Sequence, residues 1–315
     1  MSICVKFPVL FLATVCLLAC KASDVKLSEN DRMVTVRHGD HERRYLLHVP
    51  ARHAGQDNLP LILVLHGGGG TVKNMLSHTD SCFSGLADRD GAYIVYPEGV
   101  KKQWNDDRPD PISYAHRENI DDSGFIEKII RTMIRDYRVD PGKVFVTGIS
   151  NGGMMSFRLA MDLPDMIAAV APVAASIPAA GKDRISRINS TSLLLLNGTE
   201  DPLVPYNGGD IIVFWKNRGK VIPTEDAIDL WKKELECSSG PRATTLSDQD
   251  PGDGTRVYRK EYSDCRDNGK VVLYKIEGGG HTWPGGRPNL PERRVGRTSR
   301  DISACNVIWG FFKSL

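Results

Sequence analysis

An excess of either charge is missing from this sequence: 41 Lys and Arg stand against 39 Asp and Glu, a formal balance of +2. No overall field draws it to nucleic acid or to an anionic membrane surface, so the expected partner is neutral or small. Long apolar runs are also missing. The stretch over residues 7–19 is too short to span a bilayer. Cysteines with zinc-site spacing are absent, and no metal is read from the sequence. Residues 248–254 look superficially like a calcium loop, but Gly252 occupies the third ligand position and Pro251-Gly252 fit a turn, so calcium is rejected. Nor does any part have a disordered composition: 315 residues at 41% hydrophobic content can bury a sizeable core.

What is present begins with a segment separate from the fold. Lys6, the apolar run and the small residues after it read as an export signal over residues 1–20, leaving 21–315 as one domain. Leu17-Leu18-Ala19-Cys20 also resembles a bacterial lipoprotein box, although Leu18 is less usual at its place; simple cleavage near Ala22 is the alternative. Only lipidation of Cys20 would bring the chain to a membrane. The destination is the periplasm or the exterior. Cys4, Cys16 and Cys20 belong to the signal, so Cys82, Cys237, Cys265 and Cys305 remain, an even number in an oxidising compartment. Cys237 and Cys265 flank a polar stretch containing Gly and Pro that makes a natural closed loop, which leaves Cys82 with Cys305. Four unpaired thiols are the alternative.

The chain is organised around Val144-Phe145-Val146-Thr147-Gly148-Ile149-Ser150-Asn151-Gly152. A β-branched and aromatic run climbs into Gly-x-Ser-x-Gly and a helical pattern follows, which spells a nucleophile elbow. A serine on so sharp a turn needs small neighbours two before and two after, and Gly148 and Gly152 supply them. Upstream, the buried run over residues 60–65 stops at His66-Gly67-Gly68-Gly69-Gly70. Glycines that clear all side chains from a strand end leave bare N–H donors; Gly68 or Gly69, with the N–H of Asn151, is assigned to an oxyanion hole. Downstream, the apolar run over residues 193–196 ends in Asn197-Gly198-Thr199-Glu200-Asp201-Pro202. Asp201 is preferred to Glu200 as the acid because the Asp-Pro turn gives it a defined direction. The last buried run, over residues 271–276, delivers Gly278-Gly279-Gly280-His281. Ser150, Asp201, His281 is the chain order of an α/β-hydrolase, an α/β fold with a mostly parallel central sheet and helices on both faces. Asp121 and Asp122 read as caps of the helix over residues 125–137, and Thr224 as the cap of another. His38, His41, His48 and His53 read as surface residues of a first hairpin. A long polar loop carries Trp104, taken with Trp283 as a candidate substrate wall; Phe214 and Trp215 are further exposed aromatic candidates.

From about Arg43 to the C-terminus the sequence resembles the exported polyhydroxybutyrate-depolymerase-like and feruloyl-esterase-like α/β-hydrolases. The likeness runs through Leu65-His66-Gly67-Gly68-Gly69-Gly70, Asp121-Asp122-Ser123-Gly124-Phe125-Ile126, Val139-Asp140-Pro141, Gly148-Ile149-Ser150-Asn151-Gly152-Gly153-Met154-Met155-Ser156, Asn197-Gly198-Thr199-Glu200-Asp201-Pro202 and Gly279-Gly280-His281-Thr282-Trp283-Pro284-Gly285. It implies a secreted serine ester hydrolase using Ser150, Asp201 and His281, without metal or organic cofactor, on a small, aromatic-acid or hydroxyalkanoate ester. The alternatives are a peptidase of the prolyl-peptidase type and a non-catalytic binding protein on the same fold. No oligomeric state follows from the sequence.

Overall fold

The computed structural model describes residues 27–288 and 290–315. The expected export signal and Cys20 lie outside them. The chain opens with β1 (Asp31–His38) and β2 (His41–His48), then β3 (Leu61–Leu65), α1 (Val72–His78), α2 (Cys82–Asp90) and β4 (Tyr93–Pro97). After a long loop holding the short α3 (Tyr114–Arg117) come α4 (Asp122–Tyr137), β5 (Val144–Ile149), α5 (Asn151–Asp162), β6 (Ala169–Val173) and β7 (Ser192–Gly198). A hairpin of β8 (Gly209–Val213) and β9 (Lys216–Val221) precedes α6 (Thr224–Glu234), β10 (Arg242–Thr245), β11 (Arg256–Tyr262) and β12 (Val271–Glu277). The chain closes with α7 (Glu292–Val295) and α8 (Ala304–Lys313).

Ten strands form one sheet in the order β1-β2-β4-β3-β5-β6-β7-β12-β11-β10. The six from β4 to β12 run parallel, and the outer strands on both sides are antiparallel. Every residue of β3 to β7 is buried, as strands covered on both faces must be, which is why they read as continuous apolar runs rather than alternating ones. Helices α4, α5 and α6 pack on one face through residues such as Phe125, Phe157 and Trp231. Helices α1, α2 and α8 cover the other through Met75, Phe83 and Ile308.

α1 and α2 are separate helices, broken where Asp80 and Ser81 take positive φ. Local expectations fail at two places here, each for a tertiary reason. Thr224 does not cap α6; it is the first helical residue, and its hydroxyl accepts instead from Asn197 Nδ2 at 2.9 Å. His48 is not a surface residue. It is buried, with Nδ1 2.8 Å from Asp31 and Nε2 3.3 Å from Asp88. Burial works against its charge, but the Asp31 and Asp88 carboxylates prevail and raise its pKa.

Both cysteine pairs join as expected, Cys82 with Cys305 and Cys237 with Cys265. The first ties the start of α2 to α8 across 223 residues of chain, the second closes a separation of 28. Because a longer loop loses more unfolded-state entropy when closed, replacing both Cys82 and Cys305 by Ser should lower stability by about 3–5 kcal/mol in urea unfolding. The matching change at Cys237 and Cys265 should cost less.

Candidate active site

The turn between β5 and α5 puts Ser150 at φ 56° and ψ −121°, outside the regions comfortable for a residue with a Cβ. Packing imposes this. A Cβ on Gly152 would lie 2.5 Å from the His66 carbonyl oxygen, and one on Gly148 would lie 2.8 Å from Gly152 backbone. Only backbone can pass there, so β3, β5 and the first turn of α5 close on one another and Ser150 is carried to the carboxyl ends of the parallel strands.

Asp201 and His281 arrive on neighbouring loops. Asp201 follows β7 and His281 follows β12, its parallel neighbour. These loops touch where Gly198 has no side chain: a Cβ there would lie 2.2 Å from the Gly279 carbonyl oxygen. Asp201 Oδ1 accepts from the amides of Leu203 and Val204, both at 2.8 Å, which aims Oδ2 at His281 Nδ1, 2.7 Å away. Glu200 points elsewhere, exposed and 3.5 Å from Arg297. His281 and Ser150 open onto one cavity of about 610 Å³.

Residues 43–198 match the family described as esterase PHB depolymerase. The protein named "Putative esterase NocK", from Nocardia uniformis subsp. tsuyamanensis, is 32% identical over 85% of this chain and 78% of its own length. This chain belongs to the esterase PHB depolymerase family. Feruloyl esterase B of Piromyces equi is 27% identical over 78% of the chain, which spans 44% of that longer protein. Among solved structures, the acetyl xylan esterase from Aspergillus awamori superposes with a TM-score of 0.54 at 18% identity, over 80% of this chain and 94% of that one. That likeness shows the α/β-hydrolase fold. As a member of the family the chain is a carboxylic ester hydrolase.

In this esterase the glycine loop lies directly against the elbow: a Cβ on Gly67 would be 3.5 Å from Ser150 Cβ, and one on Gly68 would be 3.6 Å from Asn151 Cβ. Gly69 does not offer the donor expected of it, because its amide donates to the Lys102 carbonyl at 2.8 Å. Among the described residues the amides of Gly68 and Asn151 have no protein acceptor. The Asn151 side chain is fully engaged: Oδ1 accepts from Trp104 N at 2.8 Å, and Nδ2 donates to Trp104 O and to Asp106 Oδ2 at 2.9 and 2.7 Å.

Neither tryptophan of the expected substrate wall reaches the cavity. Trp104 is wholly buried, donating from Nε1 to the His66 carbonyl at 2.8 Å with its ring 4.9 Å from the His66 ring. Trp283 is buried against Phe83 and His78. Phe214 and Trp215, at the tip of the β8–β9 hairpin, do line it, with Ile211, Val213 and Leu290. That hairpin went unread because its two-residue turn is Phe-Trp, which carries none of the usual turn chemistry; the polar-apolar alternation of Asp210, Ile211, Lys220 and Val221 is a faint signal.

Buried charge sets the loop over residues 98–121. Asp106 accepts from Arg108 Nε at 2.8 Å, sits 2.7 Å from His116 Nε2, and holds Asn151 as above. Burial opposes its ionisation, yet Arg108 and His116 hold its pKa well below the usual carboxylate range. Asp122 is a buried ion-pair partner rather than a cap. It lies 2.6 Å from Arg43 and accepts from Asn105 N at 2.7 Å, and burial outweighs these to raise its pKa. Asp121 does cap α4, accepting from Gly124 N at 2.9 Å.

His66 lies under the glycine loop as a neutral ring. Its Nδ1–H donates to Gly67 O at 2.8 Å and its Nε2 accepts from Gly99 N at 3.0 Å. Burial pushes its pKa down to about 4, against a small upward pull from the Gly67 carbonyl. An unfolded chain would protonate this histidine near 6.5, so its contribution is complete above that pH and is lost as pH falls toward 4, amounting to about 3 kcal/mol. His66→Gln, which can keep both hydrogen bonds, should flatten this part of the stability profile when urea midpoints are compared between pH 4 and 6.5.

Proposed function

We propose that this chain is an exported serine esterase in which Ser150, His281 and Asp201 act as a catalytic triad on an aromatic-acid or hydroxyalkanoate ester. The 2.7 Å contact of His281 Nδ1 with Asp201, on a histidine that shares its cavity with Ser150, carries this reading. The Nδ1–H bond to the carboxylate leaves Nε2 as the basic nitrogen. It takes the Ser150 proton as Oγ attacks the ester carbonyl. The amides of Gly68 and Asn151 receive the oxyanion, the alcohol departs with the proton held by His281, and water then repeats the sequence on the acyl-enzyme.

The lining supports a bulky acyl or alcohol group over a small one. Leu203, Val204, Ile211, Ile212 and Val213 make an apolar wall around a space far larger than an acetyl group fills. Feruloyl esterases among the relatives fit the same reading. Export is supported by the signal-like residues 1–20 and by two disulfides in a chain that needs an oxidising compartment to form them. Whether lipid is attached at Cys20 is decided by mass spectrometry of the mature N-terminus.

A fluorophosphonate probe should label wild type at Ser150, and Ser150→Ala should abolish labelling and lower kcat by at least about a thousandfold. Asp201→Asn should keep the fold and lower kcat by roughly 10³–10⁴, because the histidine then loses the partner that fixes its tautomer. A fully active Asp201→Asn enzyme would overturn the assignment. Methyl ferulate and hydroxybutyrate oligomers, run beside p-nitrophenyl acyl esters, identify the substrate.

A further inference from the structure

The β8–β9 hairpin is built against its own stability. Val213 pairs with Lys216, so Phe214 and Trp215 are the whole of the connecting turn, at φ 50° and 62°. A two-residue turn with both residues left-handed calls for Asn-Gly, and bulky side chains with positive φ are strained there. Exposure adds a second cost. Trp215 is 93% exposed and Phe214 57%. Strain of this sort persists where surrounding structure enforces it, and it collects at sites of function.

The hairpin is enforced from its base. Ile211 and Val221 pack with Met154 of α5, the helix that begins at Ser150. Arg218 Nε donates to Asp110 Oδ2 at 2.7 Å, and Arg108 Nη1 donates to the Arg218 carbonyl at 3.1 Å. The base is thereby locked to the elbow and to the loop after β4, while the tip projects at the cavity that Ser150 and His281 share. Among the lining residues Val204 and Ile211 are buried, whereas Phe214 and Trp215 are exposed. Arg294 lines the cavity too, its guanidinium 5.5 Å from the Phe214 ring centroid.

We propose that the Phe214-Trp215 turn determines specificity by gripping a flat, apolar ring on the part of the ester substrate that lies beyond the scissile bond. An aliphatic chain would be served by leucine or isoleucine in a relaxed turn; two ring faces and a planar guanidinium match a flat π surface. This rests on the serine-esterase reading above and names residues that act on binding rather than on bond cleavage.

The test is the double variant Phe214→Asn/Trp215→Gly, which installs the relaxed turn and removes both rings. Thermal unfolding should move up by roughly 3–6 °C as strain and exposed apolar surface are lost. The ratio of kcat/KM for methyl ferulate to that for ethyl acetate should fall at least about tenfold, mainly through KM. Phe214→Leu/Trp215→Leu, which keeps apolar surface without flat rings, should lose the same selectivity. An unmoved ratio in the Asn-Gly variant, a ratio kept by the Leu pair, or a wild type that hydrolyses ethyl acetate but not methyl ferulate overturns the inference while leaving the triad standing. Failure of wild type to take the fluorophosphonate label at Ser150 overturns the triad itself, independently of these ratios.

Discussion

The structure depends on a close approach of three backbones. At the end of β5, the turn through Ser150 passes His66 and Leu65 of the neighbouring strand at distances that leave no room for a Cβ at Gly148 or Gly152. This contact stores the unfavourable φ of Ser150, starts α5 at the cavity, and presses the glycine loop against the serine. Since the surrounding sheet is buried on both faces, it can hold that strain without relaxing.

The second constraint is electrostatic. The loop over residues 98–121 is held by buried carboxylates, Asp106 within it and Asp122 just past its end. Asp106 and Asp122 are 0% exposed, and each is met by arginine and by hydrogen-bond donors. Removing one partner would strand a buried charge, which is far more costly than the pair is stabilising. The network also pins Asn151 beside Ser150, since its side chain is spent on Trp104 and Asp106.

Much of this was legible because it is written in local terms. Strands buried on both faces show as apolar runs, the elbow shows as small residues around a serine, and Asp201 and His281 stand just past such runs. Of the aromatic candidates, Phe214 and Trp215 were legible as exposed residues and line the cavity, but Trp104 and Trp283 were misread. Trp104 and Trp283 look like loop residues free to face a ligand, but one ring is consumed by His66 and the other by Phe83 and His78. His48 and Asp122 misled for a similar reason, since what decides their burial lies 40 and 79 residues away, in Asp88 and Arg43.

By itself the sequence determined the α/β architecture, the placing of Ser150, Asp201 and His281 just past strand ends, and the pairing of its cysteines, because each depends on spacing, periodicity or counting along the chain. Tertiary structure alone decided that Thr224 accepts from Asn197 instead of capping α6, that Gly69 spends its amide on Lys102, and that Trp104 and Trp283 turn into the core away from the cavity. Those outcomes turn on directions of side chains and amides set by partners distant in sequence, which no local pattern encodes.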